Sequence, residues 1–269
     1  MKRVIALMLA VFMVFSVCSC SKSDDSADVD EYAEVVYGDG ACDIDTTGRV
    51  KIMCTGDSLT AGYRKTNAYR NYLADQLIEN GYGETTCFVG PHASPSDLCP
   101  EGFTRLYGYG GNTISGLRGG LGGAMGCDPD IIILMIGTND LAGYMLNEEV
   151  EKDYRQLIKE ILQYNPDVHL FLGNPLPSTD TAKTRVEEGS RIVWIRKFIK
   201  ELCEDKAFNG YNVSFVDFSR SAIDWTVDDW KAGETDHIHP SADGNKKVAN
   251  QWYTAIQPTI DEILAERAK

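Results

Sequence analysis

An α/β fold, with a parallel sheet covered by helices on both faces, is what this sequence predicts, and two patterns carry the expectation. Val50 to Thr55 and Ile131 to Ile136 are short apolar runs rich in Ile and Val, without the alternating polar residues of a half-solvated sheet. Between such runs lie longer segments whose apolar residues recur at helical spacing. Strands alternating with helices in this way argue one doubly covered sheet in a single domain.

In chain order, Lys2 and Arg3 precede an apolar stretch from Val4 to Val17, which ends in Val17-Cys18-Ser19-Cys20 and then turns acidic. The stretch is short for a membrane span and suits the apolar region of a secretory signal. The tetrapeptide resembles a bacterial lipobox, which implies cleavage before Cys20 and lipid attachment to it, anchoring the protein to the cell envelope. From Ser21 to Asp45, nine acidic residues stand against one base, Lys22, the composition of a solvated linker. The expected organisation is a signal peptide over 1–19, a lipidated acidic tether over 20–46 and a folded domain over 47–269.

Five strands are expected in that domain: Val50 to Thr55, Thr85 to Val89, Ile131 to Ile136, Val168 to Leu172 and Val213 to Val216. Helices are expected over Ala68 to Asn80, stopped by Gly81, and after Asn147 as a cap, with Val150, Tyr154, Leu157, Ile158, Ile161 and Leu162 on one face until Asn165-Pro166. Two more run through Ile192, Ile195, Ile199 and Leu202, and from Lys246 to Ile256. The Gly119 to Gly123 stretch reads as flexible turn. The net charge of −14 opposes phosphate backbones, so nucleic acid is not an expected partner. Six cysteines lie beyond Cys20 without metal-ligand spacing, and Cys87 with Cys99, flanking a Pro-containing loop, is the best-placed pair for a disulfide.

In open parallel sheets ligands bind beyond the carboxyl ends of the strands, and four such places carry chemistry. Gly56-Asp57-Ser58-Leu59-Thr60 sets a serine after the first strand, where the bland alternative is a helix cap. Gly108-Tyr109-Gly110-Gly111-Asn112 offers a backbone N–H for close approach, and Gly137-Thr138-Asn139-Asp140 offers a side-chain amide to a developing oxyanion. In Asp236-His237-Ile238-His239-Pro240 a carboxylate stands three residues before an imidazole, close enough to fix its tautomer and leave His239 as a general base. His237, His239 and Asp236 could instead chelate a metal, but no further ligand motif completes a site, so no metal or other cofactor is expected. Trp225, Trp230, Tyr109 and Tyr144 are read as packing before sugar platforms.

Together the four blocks resemble the SGNH, or GDSL-type, hydrolase superfamily, whose Ser, Gly, Asn and His match Ser58, Gly111, Asn139 and His239 in order. The resemblance implies a three-layer, flavodoxin-like α/β/α fold with a five-stranded parallel sheet. It also implies a triad of Ser58, Asp236 and His239, and an oxyanion hole from the Ser58 and Gly111 N–H groups with the Asn139 side chain. Within the superfamily the chain looks most like carbohydrate esterase family 3, through Ile52 to Thr60, Tyr69-Arg70, Gly111-Asn112-Thr113-Ile114, Ile131 to Asp140 and His239-Pro240. It departs at Gly110, where that family often has Ser, and at Ser241, where Asn is frequent. The implied function is an exported serine esterase removing O-acetyl groups from carbohydrate such as acetylated xylan; the alternative is a lipid acyl hydrolase of the same superfamily.

Overall fold

Residues 42, 44–62, 67–94, 99–143, 145–177, 191–230 and 238–269 are described by the computed structural model of this chain. The expected signal peptide, most of the tether, Tyr144, Asp236 and His237 lie outside them.

The chain forms β1 (Val50–Gly56), α1 (Ser58–Ala61), α2 (Tyr69–Glu79), β2 (Thr86–Phe88), β3 (His92–Ala93), β4 (Arg105–Gly108) and α3 (Ile114–Met125). It continues with β5 (Ile131–Met135), α4 (Thr138–Ala142), α5 (Asn147–Tyr164), β6 (His169–Gly173), α6 (Arg191–Cys203), β7 (Val213–Val216) and α7 (Ala242–Arg267). β2 and β4 share one side of β1 in tandem, Val50 to Ile52 pairing with Thr86 to Phe88, and Thr55-Gly56 with Tyr107-Gly108. On the other side β5, β6 and β7 follow in parallel. With β2, β1, β5, β6 and β7 taken as strands 2-1-3-4-5, this is the flavodoxin-like order, whose binding crevice opens where the order reverses, between β1 and β5.

The sheet has seven strands among the described residues, not five. β3 pairs antiparallel with β4 as a short edge, and both strands escape sequence reading because two and four residues are too few for an apolar run to stand out. His92 is thereby a buried strand residue.

Pleating sends alternate β5 side chains to opposite faces. Ile131, Ile133 and Met135 join α2 and α7 in one apolar layer, while Ile132 and Leu134 join α3, α5 and α6 in the other. All five are fully buried, each worth about 1.5–3 kcal/mol in area removed from water. Trp252 of α7 is also fully buried, its ring 4.8 Å from Phe218 and 6.2 Å from Tyr69.

Three helix expectations change. The Gly119 to Gly123 stretch lies in α3, where a Cβ at Gly120 would meet the Tyr107 hydroxyl at 2.8 Å and one at Gly122 the Tyr164 hydroxyl at 2.9 Å. The missing side chains let α3 lie close to β4 and α5, and that packing outweighs glycine's weak helix propensity. Asn147 is the first residue of α5, not its cap; Leu146 occupies the cap position, and Glu149 Oε2 accepts its N–H at 3.0 Å. The last helix runs through Pro258 to Arg267, because Ile260 and Ile263 extend its buried face.

The expected Cys87–Cys99 bridge is absent, and no disulfide joins the six described cysteines. Cys87 faces the apolar layer of α3 and α5, whereas Cys99 sits against α2, accepting from Arg70 Nη1 at 3.3 Å and Asn71 Nδ2 at 3.0 Å. The sheet separates the two.

Candidate active site

Register assembles the site. Gly56 at the end of β1 lies opposite Gly108 of β4 on one side and Met135 of β5 on the other, so the three strands end level. Ser58, Gly111 and Asn139 follow within a few residues of those ends and meet at one edge. Gly56 is obligatory to this convergence: a Cβ there would lie 2.2 Å from the Met135 carbonyl oxygen.

Ser58 opens α1, and the cap is Asp57, whose Oδ1 accepts the Leu59 N–H at 3.0 Å. The bland reading of Ser58 as a helix cap therefore fails. As the first helical residue its own N–H has no acceptor within the helix, which suits it to an incoming anion. The end of this short helix is held by Arg70, only 1% exposed, which donates from Nε to the Thr60 carbonyl at 2.9 Å and from Nη2 to the Ala61 carbonyl at 3.3 Å. The same guanidinium bonds Ser94 Oγ.

His239 Nε2 lies 2.7 Å from Ser58 Oγ, and both side chains are half-buried. The imidazole is delivered by the turn into α7, where Ser241 caps the helix by accepting the Gly244 N–H at 3.3 Å. That turn is pinned twice: Ser241 N donates to the Asp229 carbonyl at 2.7 Å, and Asn245 Nδ2 to the Pro240 carbonyl at 3.1 Å. Asp229 is itself buried; burial alone would raise its carboxyl pKa, but Lys247 Nζ at 2.8 Å and the Thr226 hydrogen bonds outweigh this and hold it below the ordinary value. Sequence reading missed this carboxylate, since its partners are remote in the chain.

Gly111 is exposed and adopts φ +73°, a conformation that glycine takes without strain, within a turn closed by Asn112 N donating to the Tyr109 carbonyl at 3.2 Å. Asn112 is buried; its Nδ2 reaches the Gly56 carbonyl at 3.4 Å, and its own carbonyl accepts from Asn139 Nδ2 at 2.7 Å. An amide nitrogen carries two protons, so this bond orients the Asn139 amide and leaves its other N–H to donate elsewhere. Asp140 completes the clamp, with both carboxylate oxygens 3.3 Å from the Ile114 N–H at the start of α3.

Two carboxylates behind the site carry no role in the sequence reading. Burial pushes the Asp57 carboxyl up to about 7, against the hydrogen bond from Leu59, and also raises Asp140. Of the four aromatic residues singled out, Trp225 and Trp230 behave as packing: they are buried with rings 5.1 Å apart, and Trp225 Nε1 donates to the Phe218 carbonyl at 3.1 Å. A cavity of about 700 Å³ on the α3–α5 flank, bordered by Arg118, Glu160 and Tyr164, includes none of the four block residues.

Chemically, the arrangement pairs a hydroxyl with a base at hydrogen-bond distance, beside backbone and amide N–H groups. The chain is similar to known esterases. Over 232 residues the chain is 30% identical to a multidomain esterase of Ruminococcus flavefaciens, the match covering 78% of this chain but 29% of that protein. A Clostridium thermocellum family 3 carbohydrate esterase superposes with a TM-score of 0.65 at 27% identity, covering 80% of this chain and 99% of its own. A family 3 carbohydrate esterase from Talaromyces cellulolyticus gives 0.66 at 24% identity, covering 79% of this chain and 99% of its own. The family model of GDSL-like lipases and acylhydrolases matches residues 54–247, and with that span and the fold above, the chain belongs to the GDSL-like lipase/acylhydrolase family.

Proposed function

We propose that the protein is an exported serine esterase that removes O-acetyl groups from carbohydrate, with acetylated xylan or a related plant polysaccharide as substrate. The observation that carries the reading is the 2.7 Å approach of His239 Nε2 to Ser58 Oγ at the carboxyl edge of the sheet. His239 takes the Ser58 proton as Oγ attacks the acetyl carbonyl, and returns it to the departing sugar hydroxyl. The Ser58 and Gly111 N–H groups and the Asn139 amide receive the oxyanion. Water, deprotonated by the same imidazole, then releases acetate from the acyl-enzyme. Asp236, outside the described residues, is the proposed third member, orienting the imidazole from three residues before it.

The carbohydrate substrate is supported by the likeness to family 3 carbohydrate esterases, and a moderately acidic domain suits an uncharged glycan over a polyanion. Export through residues 1–19, lipidation at Cys20 and an acidic tether over 20–46 complete the proposal, placing the enzyme on the cell envelope. Acetate release from acetylated xylan is the test, run beside simple esters of short and long acyl chains. Release that disappears in Ser58→Ala while the circular dichroism spectrum is retained supports the reading; strong preference for long acyl chains overturns the substrate, and undiminished release by Ser58→Ala overturns the mechanism.

A further inference from the structure

Six thiols are distributed through the domain, and two of them meet. Cys87, at the centre of β2, is fully buried in the apolar layer formed with α3 and α5. Half-buried Cys42, at the end of the acidic stretch, packs on the same layer; its Sγ donates to the Phe88 carbonyl at 3.4 Å, one residue beyond Cys87. The neighbouring Cys42 thiol, together with burial, pushes the pKa of the Cys87 thiol upward. The other four cysteines lie elsewhere: Cys54 of β1 in the opposite apolar layer, Cys99 with Arg70 and Asn71, Cys127 Sγ 4.0 Å from the Gly123 carbonyl, and Cys203 on α6.

We propose that Cys42 and Cys87 form a disulfide that fastens the segment entering the domain to the central sheet. No disulfide joins the two in this structure, so the bond needs a two-electron oxidant, and a small-molecule or protein disulfide is the chemical class that supplies it. The more accessible Cys42 thiolate attacks the oxidant disulfide, forming a mixed disulfide and expelling one thiolate. The Cys87 thiolate then attacks Cys42 Sγ and expels the second. Two cysteine thiols lose two protons and two electrons in total, and the oxidant leaves as two thiols. The neighbouring Cys42 thiol and burial both hold the Cys87 thiol protonated, so exchange is fastest before β2 is covered and slow in the folded domain.

The loop so closed contains β1, α1 and α2, and therefore the Ser58 turn and the Arg70 clamp. A bridge across it removes freedom from the unfolded chain and keeps Cys42 fastened to β2. The inference is independent of the acyl group the enzyme removes.

The full chain is equilibrated in a series of oxidised and reduced glutathione buffers, starting from both reduced and oxidised protein. Remaining thiols are then alkylated, and the protein is digested without reductant for mass spectrometry. The expected result is one peptide pair joined through Cys42 and Cys87, lighter by two hydrogen atoms, and a melting temperature that drops by roughly 5–10 °C on reduction. Cys42→Ser is expected to keep ester hydrolysis and to melt at a temperature insensitive to reductant. Recovery of both cysteines as alkylated thiols across the whole series, Cys87 joined to a different cysteine, or reductant-sensitive melting that persists in Cys42→Ser each overturns the assignment.

Discussion

Asn139 Nδ2 donates to the carbonyl of Asn112 at 2.7 Å, joining the turn that follows β5 to the turn that follows β4. One side chain thereby aims its own amide and ties down the loop that carries Gly111. Asn139→Ala is predicted to lower kcat on an acetyl ester by about 10²–10³-fold, with little change in KM. Steady-state kinetics decide it, and a rise in KM at unchanged kcat would assign Asn139 to ground-state binding instead.

In the proposed mechanism Ser58 and His239 act through one proton, so their contributions are predicted not to multiply. Ser58→Ala and His239→Ala each reduce kcat/KM by at least about 10³-fold, and the double variant is no worse than the poorer single one. Losses that multiply in the double variant would show that the 2.7 Å contact is not a working unit.

Asp57 makes stability depend on pH in the direction opposite to a salt-bridged carboxylate. Burial raises its folded-state pKa to about 7 from an ordinary 3.8, so between those values the folded chain holds a proton that the unfolded chain has released. Its contribution is greatest below the unfolded value and declines as pH rises through the folded one. Asp57→Asn removes the ionising group. The variant is predicted to gain stability relative to the parent at pH 8 compared with pH 5, by an amount on the order of a few kcal/mol, while the raised Asp140 keeps its own dependence. Urea denaturation of both proteins at the two pH values measures this, and parallel pH profiles would refute it.

Arg70 is a buried cation that holds the end of α1 by bonds to the Thr60 and Ala61 carbonyls. Arg70→Met leaves those carbonyls without their donor and is predicted to destabilise the domain by about 2–4 kcal/mol. Arg70→Lys recovers only part of this, since an ammonium lacks the planar fork that spans two carbonyls and a hydroxyl. Denaturant midpoints for the two variants test the ranking, and full recovery by Lys would mean that charge alone suffices.

The helix over Asn147–Tyr164 was legible because its apolar face recurs at helical period, and β1 and β5 because strands covered on both sides are continuously apolar. α3 was illegible for the complementary reason. Its glycines are unfavourable for an isolated helix and are placed there by the closeness of Tyr107 and Tyr164, which no local pattern records. β3 and β4 exist through pairing with each other and with β1.

At the site, Ser58, Gly111, Asn139 and His239 could be named from four short blocks, because each residue type brings a distinct chemical capacity and each block follows a strand or precedes a helix. The supporting groups could not. Asp57 looks like any acidic residue until its burial is known, Asp229 until Lys247 and Ser241 arrive from later in the chain, and Arg70 until its guanidinium is found spanning the end of α1. Composition and period are local properties of the chain, and by themselves they determined the α/β class and the main strands, while the four chemical blocks came from residue types at strand ends and the family resemblance. Distance is not local. The level strand ends at Gly56, Gly108 and Met135, the seating of Cys42 against Cys87 with Cys99 across the sheet, and the reach of His239 to Ser58 were decided only by the register and packing of the folded molecule.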